Sequence, residues 1–234
     1  MIKLTIEDIE IEVAKKNIKT IRLSVHPPNG QVKISAPNRM TDESIRLFII
    51  SRLAWIKKQQ LKFENQEKIP ELEYVSGEEH YYFGQRYLLN VITEDINKAK
   101  VEIRSNKFID LYVREGSDKG KRAATMKEWY RKELKSLIPS MIEKWENIMG
   151  LKINEWGVKQ MKTRWGTCNI NAKRIWLNLE LAKKPYHCLE YIIVHEIAHL
   201  IERGHGPKFK AIMDEYYPNW RNVKAELNGM IFQD

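Results

Sequence analysis

Residues 195–199 read His195-Glu196-Ile197-Ala198-His199, and His205 follows six positions later. On a helix, histidines four apart stack on one face a turn from each other, so both imidazoles can reach one cation. Glu196 is offset around that helix and can address a water rather than the cation itself. Three neutral imidazoles leave a fourth tetrahedral position for water, which is the arrangement of a catalytic zinc site rather than a closed structural one. A metal there would lower the water's pKa toward about 7, and Glu196 would accept its proton during attack. The chain holds 6 His and 24 Glu, enough for such a string to arise by chance, so its setting has to decide.

The setting favours chemistry. Tyr186 to Glu202 reads as a helix, with Leu189, Ile192, Ile193, Ile197 and Leu200 giving a broad apolar surface and Pro185 placed near its start. Imidazoles on a helix destined for burial are costly without partners, and a metal is a natural partner for two on one stripe. Gly204 and Gly206 interrupt the pattern and let His205 turn back toward His195 and His199, while Pro207 can open another helix. Glu202 is a rival third ligand, three residues beyond His199. His205 is preferred because a tetrahedral site needs ligands from converging directions. Cys188, seven residues before His195, lies on the same face two turns away and reads as a small buried hydrophobe rather than a ligand. The expected ion is zinc, although imidazole sites also accept nickel, cobalt or copper.

Several segments together resemble a known family. Lys162-Thr163-Arg164-Trp165-Gly166-Thr167-Cys168, Ile175-Trp176-Leu177-Asn178, Val194-His195-Glu196-Ile197-Ala198-His199-Leu200 and His205-Gly206-Pro207-Lys208-Phe209 are similar to motifs of the YgjP-like metallopeptidases, relatives of the SprT-like zincins. The resemblance extends upstream through Tyr82-Phe83-Gly84-Gln85-Arg86-Tyr87. Thr167 stands where that family usually has serine, Gly206 where serine often follows the third histidine, and Lys210 where an aromatic often follows Phe209. The resemblance implies a zinc-dependent hydrolase with His195, His199 and His205 as ligands and Glu196 as general base. It leaves open whether the substrate is a peptide or a nucleoside triphosphate, since both hydrolyses can use metal-activated water.

The elements that must position these residues read as an α+β protein. Strands are expected at Ile2 to Glu7, Ile9 to Ala14, Ile18 to His26 and Gln31 to Ala36, with a turn at Pro27-Pro28-Asn29-Gly30. Thr41 can cap a helix to about Glu64, with Ile45, Phe48, Ile49, Leu53, Ile56 and Leu61 on its apolar face. A meander of strands is expected at 71–75, 80–83, 86–93, 100–104 and 108–114, with a tight connection at Gly84-Gln85. The polar stretch Glu115 to Gly120 is the expected boundary, giving a β-rich amino-terminal module, 1–115, and a small zincin-like domain, 116–234, that carries the His-Glu-x-x-His helix. A long helix from about Lys121 to Met149 should be kinked or split by Pro139. Strand segments at 151–158, 164–169 and 175–181 then lead to the metal helix.

Composition narrows the partners. The 43% hydrophobic content suffices for a true core, the first residues lack the apolar run of a signal peptide, and no apolar stretch approaches the length of a membrane span. A soluble, cytoplasmic protein without membrane association is expected, with Cys168 and Cys188 as reduced thiols. The net charge of +9 is uneven, +2 over residues 1–115 and +7 over residues 116–234. Lys119, Lys121, Arg122, Lys127, Arg131, Lys132 and Lys135 read as a solvated helix face. Lys162, Arg164 and Arg174 flank the Trp165 segment and are candidate substrate-binding residues, able to hold anionic groups or phosphates beside the metal. Trp165 and Trp176 read as core or cleft wall. A metallopeptidase acting on a peptide or protein is therefore the leading expectation, a metal-dependent nucleoside triphosphate pyrophosphatase the alternative. A noncatalytic nucleic-acid-binding protein with a structural metal is the third, and Glu196 argues against it because a structural site needs no base.

Overall fold

The structure is a computed structural model that describes residues 2–26, 29–64 and 72–229. It is mixed α/β and divides into two compact units, Met1–Pro70 and Glu71–Asp234. In the first, strands β1 (Ile2–Ile6), β2 (Ile9–Lys16), β3 (Arg22–His26) and β4 (Gln31–Pro37) form a sheet in the order β1-β2-β4-β3, with β2 and β4 parallel. Alternation of Ile9, Ile11 and Val13 against Val32, Ile34 and Ala36 buries one face of the sheet. Helix α1 (Asp42–Glu64) covers that face with Ile45, Ile49 and Ile56, and the Thr41 hydroxyl accepts from the Ser44 amide at 3.2 Å as its cap. Leu61, expected on the buried face, is exposed. Pro27 and Pro28 of the expected turn lie outside the described residues.

The second unit opens with β5 (Glu79–Tyr82), β6 (Gln85–Thr93), β7 (Lys100–Ile103) and β8 (Phe108–Val113), ordered β5-β6-β8-β7. Of the strand expected at 71–75, residues 72–75 are not a strand. The Glu73 and Tyr74 amides donate instead to the Glu78 carboxylate, at 2.6 and 2.7 Å. Helix α2 runs unbroken from Lys119 to Met149, so Pro139 does not split it. Leu134 and Ile138 before the proline, and Met141, Ile142 and Trp145 after it, are all buried, and this packing outweighs one missing backbone bond. The basic residues of α2 serve largely structural contacts: Lys119 pairs with Glu73 at 2.7 Å, and Arg131 donates to the Val158 carbonyl at 2.7 Å.

The expected boundary at residues 115/116 runs through a single core. Tyr87, Leu89, Ile109, Leu111 and Val113 of the second sheet share a cluster with α2 and with the helix that carries the histidines. The polar stretch is a tight turn rather than a linker. Gly116 takes a φ of 71°, the Ser117 amide donates to the Arg114 carbonyl, and Asp118 caps α2 by accepting from the Lys121 amide at 2.8 Å. The division falls before β5 instead.

A third sheet, β9 (Glu155–Lys159), β10 (Gly166–Asn169) and β11 (Arg174–Asn178), has the order β10-β11-β9, which leaves β10 at an edge. A 3₁₀ turn at Leu179–Lys183 leads into α3 (Tyr186–Ala198), followed by α4 (Pro207–Tyr216) and α5 (Trp220–Gly229). The β5–β6 connection sets where α3 begins. Phe83 and Gly84 have φ of 42° and 81°, as a two-residue hairpin turn requires, and their amides donate to the Ala182 and Lys183 carbonyls. A Cβ at Gly84 would lie 2.7 Å from the Pro185 ring. Helix α3 ends four residues earlier than its sequence pattern suggested, because the Leu200 and Ile201 amides turn back to the Ile197 and Ala198 carbonyls. No helix among the described residues is long and apolar enough to cross a membrane.

Candidate metal centre

His195 lies in the last turn of α3, His199 is its C-terminal cap, and His205 follows in the loop before α4. One ring nitrogen from each lies within 4.8 Å of the others, and Nε2 of His195 is 3.0 Å from Nε2 of His205. Ligand nitrogens at about 2.0–2.1 Å from a tetrahedral zinc stand roughly 3.4 Å apart, so the trio needs little adjustment to hold one ion. His199 Nδ1 donates to the Glu202 carbonyl at 3.0 Å, which fixes its tautomer and turns Nε2 toward the cluster. Burial, then the neighbouring imidazoles and Lys224, push His195 down to about 3, and the same causes lower His205. Both rings are thus neutral near pH 7, the form that ligates metal.

Phe209 of α4 organises the trio from beneath. It is 2% exposed, and its ring centroid is 5.0, 4.7 and 4.9 Å from those of His195, His199 and His205. Pro207 at the first position of α4 starts this helix directly after the histidine loop. Glu202 is not among the grouped donors. Its carboxylate accepts from the Gly204 amide at 3.2 Å and lies 3.6 Å from Lys208. Cys188 is buried and groups with His187 and Glu226, not with the three imidazoles.

Glu196 is 4% exposed and points toward β10. Burial raises its pKa to about 8, with the Arg164 charge pulling the other way. A dication beside it would favour the charged form, so a buried carboxylate next to three converging imidazoles suits a metal chemically. The room for that carboxylate comes from Gly166. A Cβ there would sit 2.6 Å from Glu196 Oε1, 2.9 Å from its Cγ and 2.9 Å from Ile192 Cγ2. Gly166→Ala should therefore displace the carboxylate or part β10 from α3, cutting kcat/KM more than about tenfold and stability by about 1–3 kcal/mol. Steady-state rates and a denaturation curve on the purified variant check this; wild-type values for both would show that the contact does not matter.

Asn178 completes the frame. Fully buried, it donates from Nδ2 to the Met161 and Arg164 carbonyls at 2.9 and 2.8 Å, and accepts at Oδ1 from the Met161 and Glu180 amides, both at 3.2 Å. It pins the loop that delivers Arg164, Trp165 and Gly166. In the sequence Asn178, Gly166 and Phe209 stand within family-like motifs, and nothing in their types marks the tasks they have here. Glycine opening a strand opposite a catalytic-type glutamate was the available signal for Gly166.

The cleft over the imidazoles, about 610 Å³, is lined by Arg164, Trp165, Gly166, Thr167 and Cys168 on one side and by α3, the following loop and α5 on the other. Burial, then Glu196, raises the Cys168 thiol to about 11, so it is protonated rather than nucleophilic. Of the three basic residues expected to bind substrate, only Arg164 lines the cleft. Lys162 is exposed in the preceding loop, and Arg174 bonds Glu155 at 3.2 Å. Trp176 packs its ring against Gly157 under Lys159, which stands 3.6 Å above it, while Trp165 forms cleft wall.

Similarity to a known family gives the class, the metal-dependent hydrolases. Within it the chain belongs to the YgjP-like family, whose model, described as a YgjP-like metallopeptidase domain, matches residues 19–230. Among solved structures it is similar to the metallopeptidase zymogen abylysin of Pyrococcus abyssi, at 17% identity and a TM-score of 0.37, over 39% of this chain and 91% of that one. It is similar also to the metallopeptidase zymogen jannalysin of Methanocaldococcus jannaschii, at 21% identity and a TM-score of 0.35, over 39% of this chain and 94% of that one. A comparison with curated proteins gave no match.

Proposed function

We propose that this chain is a zinc-dependent, zincin-type peptidase in which His195, His199 and His205 hold one divalent ion and Glu196 is the general base. The observation that carries this reading is the convergence of three imidazoles beside a buried carboxylate, at the floor of a cleft bordered by an edge strand. When bound, the ion supplies Lewis acidity to the scissile carbonyl and to water. Glu196 takes the proton from the attacking water and passes it to the departing amine. An extended peptide would lie along β10, using the backbone groups that no neighbouring strand covers, and Trp165 would restrict water on that side. Imidazole chemistry fits zinc, nickel, cobalt or copper, so the identity of the ion rests on its availability as well as on the site.

A nucleoside triphosphate would call on Lys162, Arg164 and Arg174 together, and only the second reaches the cleft, which favours the peptide. The test is a paired assay of the zinc-loaded protein on an unfolded protein substrate and on a panel of nucleoside triphosphates, with Glu196→Gln as control. Peptide cleavage that the control lacks is the expected result; hydrolysis of nucleotides alone would overturn the reading.

A further inference from the structure

The cleft gathers three cations that form no ion pair among the described residues. Arg164 precedes β10, Arg203 lies in the loop after α3, and Lys224 projects from α5; all three are exposed and line the cleft. Among the described residues none of them forms an ion pair, and Glu196 is the one carboxylate in the lining. Some cations elsewhere on the surface are matched, as Lys144, Arg86 and Arg221 are with Glu190, Glu79 and Asp214; in the cleft three stand together without such partners.

Their placement has a direction. Arg164 stands two residues before the first residue of β10, whereas Arg203 borders an adjoining hollow with Cys168, Asn169, Ile170 and Asn171 at the strand's other end. Lys224 lines the same cleft as the three imidazoles. A strand advances about 3.3 Å per residue, so a peptide laid along the four residues of β10 would meet one guanidinium near each end, with Lys224 lining the same cleft.

We propose that this cleft selects acidic peptides, with Arg164 and Arg203 receiving aspartate or glutamate side chains on opposite sides of the scissile bond and Lys224 raising the potential of the cleft. The proposal rests on the peptidase reading of the same site. Guanidinium groups suit carboxylates because two parallel N–H donors match two oxygens, and a cleft with one sign of charge concentrates ligands of the other. A peptide is favoured over a polyphosphate because the two guanidinium groups stand at opposite ends of an edge strand rather than gathered at one point.

Binding and turnover are measured separately, so that failure of catalysis does not hide the answer. Zinc-loaded Glu196→Gln protein is titrated with three fluorescent peptides of equal length and identical centre, flanked on both sides by Asp, by Asn or by Lys. The Asp peptide should bind about tenfold or more tighter than the Lys peptide at low salt, with the difference shrinking as ionic strength rises. Adding Arg203→Glu and Lys224→Glu to that protein should invert the order, and Arg203→Gln alone should weaken the preference without inverting it. Equal binding of the three peptides would overturn the proposal, as would an order unchanged by the reversals. Displacement of the Asp peptide by inorganic triphosphate at lower concentration than by the unlabelled Asp peptide would overturn it in favour of a polyphosphate ligand. Cleavage by the unmodified enzyme is read on the same peptides. Preferential binding without any cleavage would sink the peptidase reading while leaving the charge preference intact.

Discussion

Glu196→Gln is expected to keep the fold and the bound metal and to lose turnover by about 10²–10⁴-fold. Glutamine has the shape of glutamate and fills the same space against Gly166 and Ile192, so packing around α3 is preserved. The amide is neutral, so burying it at a site that is 4% exposed carries no ionisation penalty. None of the three grouped imidazole nitrogens depends on the glutamate for its position: His199 is held by the Glu202 carbonyl, and all three rings rest on Phe209. What disappears is the ability to accept a proton from water. Circular dichroism, metal content and kcat measured on one preparation check this. Wild-type turnover in the variant would remove Glu196 from the mechanism.

Asn178→Ala should have the largest effect on stability, about 3–5 kcal/mol. Four backbone groups bond its side chain, namely the Met161 amide and carbonyl, the Arg164 carbonyl and the Glu180 amide. Alanine would leave these groups short of partners in an interior that is 0% exposed at that position, and each such group costs about 1–3 kcal/mol unless water can enter. Asn178→Asp keeps the acceptor but loses both donors, so it should be destabilised as well. The loop from Met161 to Arg164 would loosen, and with it the cleft wall formed by Arg164 and Trp165. Urea unfolding measures the loss; a change below about 1 kcal/mol would mean that these bonds contribute little.

The imidazole cluster was legible because its grammar is local. Spacing of four on a helix, then a glycine-bearing break, is enough to bring His195, His199 and His205 together, while Glu202 stays outside that group. The strands of the first unit and the Phe83-Gly84 turn were legible for the same reason, since alternation and turn chemistry act over a few residues. What was not legible is long-range. Whether the polar stretch at 115–120 separates two domains depends on whether α2 packs against the sheet before it, and only the shared burial of Leu89, Leu111, Tyr130 and Leu134 decides that. Pro139 carried a strong local signal for a break, and burial on both sides overrode it. Lys162 and Arg174 were near the site in sequence but not in space, while Arg203 and Lys224 reached the cleft from segments that carried no motif.

Three imidazoles, those of His195, His199 and His205, are proposed to hold one metal ion. Metal content measures it most directly, on protein stripped with chelator, reloaded with zinc and dialysed, for the wild type and for His199→Ala, His205→Ala and Glu202→Ala. Glu202→Ala and the wild type should each retain one ion per chain, whereas both histidine variants should retain little. Full retention by His205→Ala with loss in Glu202→Ala would contradict the ligand set, and equal retention by all four proteins would place the metal somewhere else.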